Sequence, residues 1–324
     1  MLISRRLLLL TSLASATISA PSRAQSWPSK TIRIVVPFPA GGSADLSARL
    51  LAEHLKAALG HSVVVESKVG AGGNLAAAEA ARAEADGHTL FVGTNGTQTI
   101  NESLYRKIPY DPAGDFSAIT MMWEAPHLLV VHPTVPAQSL EAFLNYARSN
   151  AGSLSYGSSG VGSSTHLFAE MFKARTGLEI THVPYRGQAL ALNDLLGGQI
   201  KVMFPIIPDV ISYIRSGQVR AIALASENRS DLLAELPLMP RLGYPDLVAS
   251  AWTGLYVPTR TPPAVIERLR SEADALLHSA SFVDRMKQVG VEIRPIKGGE
   301  FEAFTQQERA RWAKTIAELK IRIE

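Results

Sequence analysis

The sequence predicts an α/β protein of two lobes, each a mainly parallel sheet flanked by helices. Three observations lead there. Short apolar, β-branched runs bounded by Gly, Pro or Ser alternate with longer amphipathic segments, the strand-then-helix order that builds parallel sheets. The chain has 324 residues, more than a single open α/β sheet usually holds, which calls for two cores. Proline-rich stretches at residues 126–136 and 236–245 mark two places where the chain can cross between lobes.

The elements follow in order. Residues 31–38 make the first buried strand, and a helix over 44–59 sets Leu46, Leu50, Leu55 and Leu59 on one side. Strands over 62–66 and 89–93 complete the opening pattern. Further on, 128–132, 154–157, 180–185, 200–204 and 220–225 read as strands. Between them a helix over 140–148 starts behind Ser139 as cap, and one over 165–175 stops at Gly177. Helices from Pro262 onward return to the first lobe. The expected division is residues 25–125 with 248–324 as one lobe and 126–247 as the other, with a ligand cleft between them.

Residues 1–24 read as an export signal. Arg5 and Arg6 form a positive start, residues 7–20 are uncharged and apolar, and small residues surround the expected cleavage point after Ala24. The run from Ser4 through Arg5 and Arg6 to Leu9 also resembles a twin-arginine signal. The apolar stretch falls short of the ~20 residues that span a bilayer, and no later segment is long and apolar enough, so no membrane insertion is expected. Of the 32 Lys+Arg and 29 Asp+Glu, three arginines and no acid lie in residues 1–24, so the mature chain balances at 29 against 29. Without a net field, nucleic acid is not an expected partner. There is no cysteine, hence no disulfide, no thiolate nucleophile and no thiolate metal ligand.

The most informative mature segment joins the first strand to its helix: Pro37, Phe38, Pro39, Ala40, Gly41, Gly42, Ser43, Ala44 and Asp45. Adjacent glycines let the backbone turn so that free N–H groups at the helix start point at one acceptor, and Ser43 adds a hydroxyl. Asp45 either caps the helix, accepts from loop amides, or meets a ligand amine. Residues 156–166 repeat the design, with Gly157, Gly160 and Gly162 among Ser158, Ser159, Ser163 and Ser164, ahead of His166. This loop either cradles a carboxylate with uncharged donors or is a solvated turn. Thr94, Asn95 and Thr97 follow a third strand and supply more neutral donors.

Enzyme signatures are weak. Gly70 and Gly72 start a dinucleotide fingerprint that Leu75 breaks, and no phosphate-binding P-loop or Gly-x-Ser-x-Gly elbow is present. The eight histidines form no His-Glu-x-x-His pattern, so neither a metal nor any cofactor is expected. An exported serine hydrolase built on Ser158 or Ser159 with His166 is the alternative reading, although a histidine at a helix start more often caps or packs.

The order of these pieces resembles the Bug-type solute-binding proteins of the tripartite tricarboxylate transporter family. The similarity runs through residues 36–45 with Ala48 and Arg49, 70–74, 86–90, 109–112 with Asp115 and Phe116, 157–167, 182–187, and 252–255 with Pro258. It implies a periplasmic, monomeric receptor of the Venus-flytrap type II fold that closes on a small carboxylate and hands it to one large and one small membrane permease subunit. The Gly41-Gly42 loop and the Ser158–Ser164 loop would act as pincers, with Phe38 as a wall, residues 94–97, Phe204 and Pro205 lining the remainder, and Tyr185 reaching the cleft. Ala40 and Val69 depart from frequent prolines. Pro205 stands where an acidic or polar residue is frequent, which favours a plain mono- or dicarboxylate over an amino acid. A receptor that presents its ligand-closed surface to a signalling protein is a further alternative.

Overall fold

The computed structural model describes residues 27–323, so the expected export signal over residues 1–24 lies outside the described residues. The strands run in chain order as β1 (Ile32–Val36), β2 (Val63–Ser67), β3 (Thr89–Thr94), β4 (Phe116–Pro126), β5 (Leu128–Val131), β6 (Ser155–Ser158), β7 (Thr181–Pro184), β8 (Val202–Met203), β9 (Arg220–Leu224) and β10 (Ser250–Pro258). The helices are α1 (Ser43–Leu59), α2 (Asn74–Ala81), α3 (Asn101–Leu104), α4 (Leu140–Ser149), α5 (Ser164–Thr176), α6 (Gln188–Leu196), α7 (Ile207–Arg215), α8 (Pro263–Leu277), α9 (Ala280–Gln288) and α10 (Gly298–Leu319).

Two five-stranded sheets result, ordered β2-β1-β3-β10-β4 and β7-β6-β8-β5-β9. The α/β class holds, while the sheets are mixed. β1 pairs in parallel with β2 and β3, but β10 runs antiparallel between β3 and β4. In the second sheet β6 is parallel to β7 and β8, and β5 is antiparallel to β8 and β9. The antiparallel strands are those that connect the sheets: β4 leads through His127 into β5, and β10 begins just after the chain comes back. A strand that leaves one sheet from its edge enters the next in the opposite sense to its returning neighbours, which sequence periodicity does not reveal.

The first crossing falls at Pro126–Leu128, within the proline-rich stretch expected for it. The second falls beyond the proline-rich stretch at 236–245. Residues 236–245 belong to the second lobe, where Met239 is fully buried in its core, and the return passes through residues 247–250. The two crossings are tied together, because the His127 N–H donates to the Ala249 carbonyl at 2.9 Å and the Ala249 N–H to Ala225 at 3.0 Å.

Each sheet is covered on both faces. In the first lobe Ile34, Val36, Leu51, Leu55 and Leu269 fill one side, and Ala77, Phe91, Tyr256 and Phe301 the other. In the second, Phe143, Phe168, Phe172 and Phe204 form one core and Leu128, Leu195, Ile207 and Ile211 the opposite one. A fifth cluster joins the lobes: Leu167 of α5 packs among Ile100, Leu104, Trp312 and Ile316. Burying a leucine this completely contributes ~1.5–3 kcal/mol, so this contact resists separation of the lobes on that side. Among the described residues no helix is long and apolar enough to cross a membrane.

Candidate functional site

Strand directions place the two glycine loops on facing edges. β1, β3 and β4 point the same way, so the loops after β1 and β3 leave the edge from which β4 crosses. β5 starts at that crossing and β8 and β6 run back toward it, so the loop after β6 also emerges there.

In the first loop Gly41 has φ +98°, a conformation that strains any residue with a Cβ. Its N–H donates to Asp45 Oδ2 at 3.0 Å, and Arg49 Nε donates to the same oxygen at 2.9 Å. Asp45 is buried, with Oδ1 unpartnered. Burial pushes its carboxyl up, but hydrogen bonds from Arg49 and the Gly41 amide outweigh this and hold it below the usual range. Of its possible roles, the geometry realises the one in which Asp45 accepts from the loop and closes it. Gly42 occupies the N-cap with no side chain to accept, so the first N–H groups of α1, from Ser43 on, are left uncapped. Ala40 is exposed and Phe38 stands out with 43% of its surface accessible.

The second loop is braced from within. Ser163 caps α5 by accepting from the His166 N–H at 3.3 Å, and its hydroxyl donates to the Gly160 carbonyl at 2.7 Å. The Ser159 N–H donates to Thr165 Oγ1 at 3.0 Å, and the Gly162 N–H to His166 Nδ1 at 3.0 Å. Ser164, the first residue of α5, is half-buried. Gly160 has φ +129° and lies so close to the Tyr185 carbonyl that an added Cβ would sit 3.3 Å from it. A Cβ at Gly162 would strike Leu104 and Ile323, so Gly162 serves the contact between the lobes.

Beneath this loop lies a stack absent from the sequence-based expectations. His182 on β7 is 4.2 Å from the His166 ring and 4.9 Å from the Tyr156 ring, both nearly parallel to it. Its Nε2 is 2.7 Å from Ser158 Oγ, and Ser158 is fully buried. Burial, reinforced by His166, lowers the His182 imidazole to about 4. This corrects the expected hydrolase pairing: the histidine on Ser158 is His182, and His166 accepts instead from Gly162. His182 begins a segment counted in the family resemblance, which is the only sequence signal that could have pointed to it.

Other expected site residues are partly consumed internally. Thr94 and Thr97 are buried and bond each other, the Thr94 N–H donating to Thr97 Oγ1 at 2.9 Å and the Thr97 N–H to Thr94 Oγ1 at 3.2 Å. Asn95 donates from Nδ2 to the Ser250 carbonyl at 3.3 Å, which ties the β3 end to the second crossing. The Tyr185 hydroxyl donates to Asp194 Oδ2 at 2.6 Å. Phe204 departs from its expected place lining the cleft. It is fully buried, its ring 5.0 Å from Phe172 and 5.7 Å from Phe168, and belongs to the core; Pro205 beside it is also buried. Among the described residues no cluster of three or more His, Asp or Glu side chains is placed to hold a metal ion.

Two α/β lobes joined by tied crossings, with uncharged glycine and serine loops on the facing edges, define a two-lobed binding protein. The family model of the tripartite tricarboxylate transporter family receptor matches residues 47–321. The chain is 35% identical to BugT of Bordetella pertussis over 94% of each protein. It belongs to this receptor family. Among solved structures it resembles Rpa4515 of R. palustris with adipate, at TM-score 0.82 and 34% identity, covering 91% of this chain and 99% of that one. It also resembles MatC of Rhodopseudomonas palustris with bound malate, at TM-score 0.78 and 31% identity, covering 89% and 99%.

Proposed function

We propose that this protein is an exported, periplasmic receptor that captures a small carboxylate between its lobes and delivers it to a permease of one large and one small membrane subunit. The lobes are residues 25–125 with 248–324, and 126–247. The observation that carries this reading is the pair of loops on facing edges, one ending in the uncapped start of α1 and the other wrapped over the start of α5. Amides at a helix start, favoured by the helix dipole, suit a carboxylate without a permanent cationic partner. Gly42, Ser43 and Ser164 supply the donors, water fills the remaining gaps, and Phe38 forms a wall. The adipate and malate held by two relatives support this ligand class. Ligand that touches both loops only when the lobes meet shifts the population toward the closed form, and no chemistry is needed.

The test is native mass spectrometry of the purified protein followed by thermal shifts with mono-, di- and tricarboxylates. A ligand at a hundredfold excess over its dissociation constant stabilises the native state by ~2.7 kcal/mol. A co-purified or stabilising acid supports the reading, and no stabilisation by any acid refutes it.

A further inference from the structure

We propose that His166 is a positioning residue that holds the second loop in its ligand-taking shape only while its ring is neutral. This role rests on the second loop being one wall of the carboxylate site. The Gly162 N–H can only donate, so His166 Nδ1, 3.0 Å away, presents a lone pair, and the neutral ring carries its hydrogen on Nε2. A proton gained by the ring therefore lands on Nδ1 and turns the acceptor into a donor facing a donor. Gly162 stands two residues before Ser164, the first residue of α5, so releasing its amide frees the turn that aims the helix start.

The ring is not alone. His182 lies 4.2 Å from it at an interplanar angle of 16°, so a charge on one opposes a charge on the other. Ser158 Oγ, 2.7 Å from His182 Nε2, also receives the Gly160 N–H at 3.2 Å, which steadies the same loop from the strand side. The charged groups that face the pair are Glu170 and Lys173 of α5, with Tyr156 of β6 as a neutral phenol. Glu170 accepts from the Tyr156 hydroxyl at 2.6 Å and from Lys173 Nζ at 2.8 Å, so its charge is already answered. On α10, which packs on α5, Arg311 pairs with Glu308 at 2.7 Å, and Glu318 reaches Arg175 at 3.2 Å. Leu104 and Ile323, beside Gly162, are apolar. Burial lowers both imidazoles, and His166 pushes His182 further, to about 4, so the first proton goes to His166. With a lowered value the brace is complete above the ordinary 6.5 and is lost as pH falls toward 4.

The experiment follows the isotope-labelled mature protein by NMR from pH 8 to pH 4 without ligand, then measures adipate binding by isothermal titration at pH 7 and at the inflection found. The Gly162 amide should titrate together with the His166 ring, below the free-imidazole range. In His166→Asn, whose Oδ1 accepts but takes no proton, the amide should show no inflection. Protonation of adipate itself lowers affinity alike in every protein. At the inflection wild type should therefore have lost about twofold more affinity than His166→Asn, because half of its molecules carry the proton. His166→Phe keeps a stacking ring without an acceptor and should bind about fivefold more weakly at pH 7, the loss of one neutral hydrogen bond. A ring that served packing alone would be replaced well by Phe and poorly by Asn. A Gly162 amide that does not titrate with His166, equal losses in wild type and His166→Asn, or full affinity in His166→Phe would each overturn the proposal. Adipate binding by none of the proteins, with the shared inflection present, would count against the carboxylate reading and leave the brace established.

Discussion

His127→Phe should reverse its effect on stability between neutral and acid pH. His127 sits between β4 and β5, at the first crossing, and is 1% exposed. Nδ1 donates to the Phe204 carbonyl at 2.9 Å, the ring stacks on Phe168 at 5.4 Å, and Nε2 has no partner. Burial lowers the imidazole from 6.5 to about 4, against a smaller upward pull from the Phe204 and Pro205 carbonyls. A depressed value means that the native state holds the ring neutral. The stability this provides is complete above the unfolded value near 6.5 and drains away as pH falls toward 4. A shift of that size corresponds to ~3 kcal/mol, with no discount for solvent because the ring is enclosed. Phenylalanine keeps the stacking and cannot titrate, but it leaves the Phe204 carbonyl without its donor, a cost of ~1 kcal/mol. Urea unfolding followed by circular dichroism should find the variant less stable by ~1 kcal/mol at pH 7.5 and more stable by ~2 kcal/mol at pH 4. The acidic groups titrate alike in both proteins and cancel. A difference of the same sign and size at both pH values would refute the assignment of a buried, neutral His127.

Three further outcomes follow from the loops. Gly160→Val places a β-branched residue at φ +129°, costing ~1–3 kcal/mol of backbone strain, and should weaken carboxylate binding about tenfold by isothermal titration; unchanged affinity would remove the second loop from the site. Asp45→Ala loses a charge-assisted bond worth ~1.5–3 kcal/mol but also removes an unpartnered buried oxygen worth ~1–3 kcal/mol. Its melting temperature should therefore move little while ligand affinity falls, whereas a large loss of stability at constant affinity would reduce Asp45 to a structural cap. A serine-directed fluorophosphonate should not label the protein, because Ser158 is fully buried on His182; labelling that disappears in Ser158→Ala would restore the hydrolase reading.

The strands most legible in the sequence are those made mostly of branched apolar side chains, such as Ile32–Val36, with Arg33 its one charge, and Leu128–Val131. β4 and β10 escaped because their sequences, FSAITMMWEAP and SAWTGLYVP, carry few branched residues and their pairing is set by distant partners: Leu255 lies beside both Val92 and Thr120. Their antiparallel sense is a property of the crossings, which no local pattern encodes. Phe204 shows the same limit at the site. A strand buried on both faces offers no alternation to say which way a residue points, so the family resemblance implied the cleft while packing assigned the core.

The loops divide along a related line. Glycine spacing announces where a backbone must turn, and both turns are there, at φ +98° for Gly41 and +129° for Gly160. It does not say which amides remain free once the side chains have taken theirs. Asp45 claims the Gly41 N–H, Thr165 that of Ser159, and His166 that of Gly162. Every amide so occupied is lost to a ligand, yet it also fixes the turn that aims its neighbours. The rigidity of the two loops and their donor capacity thus draw on the same N–H groups. A loop of this length keeps both only where it runs into a helix, because the helix start contributes donors that no internal carbonyl can reach.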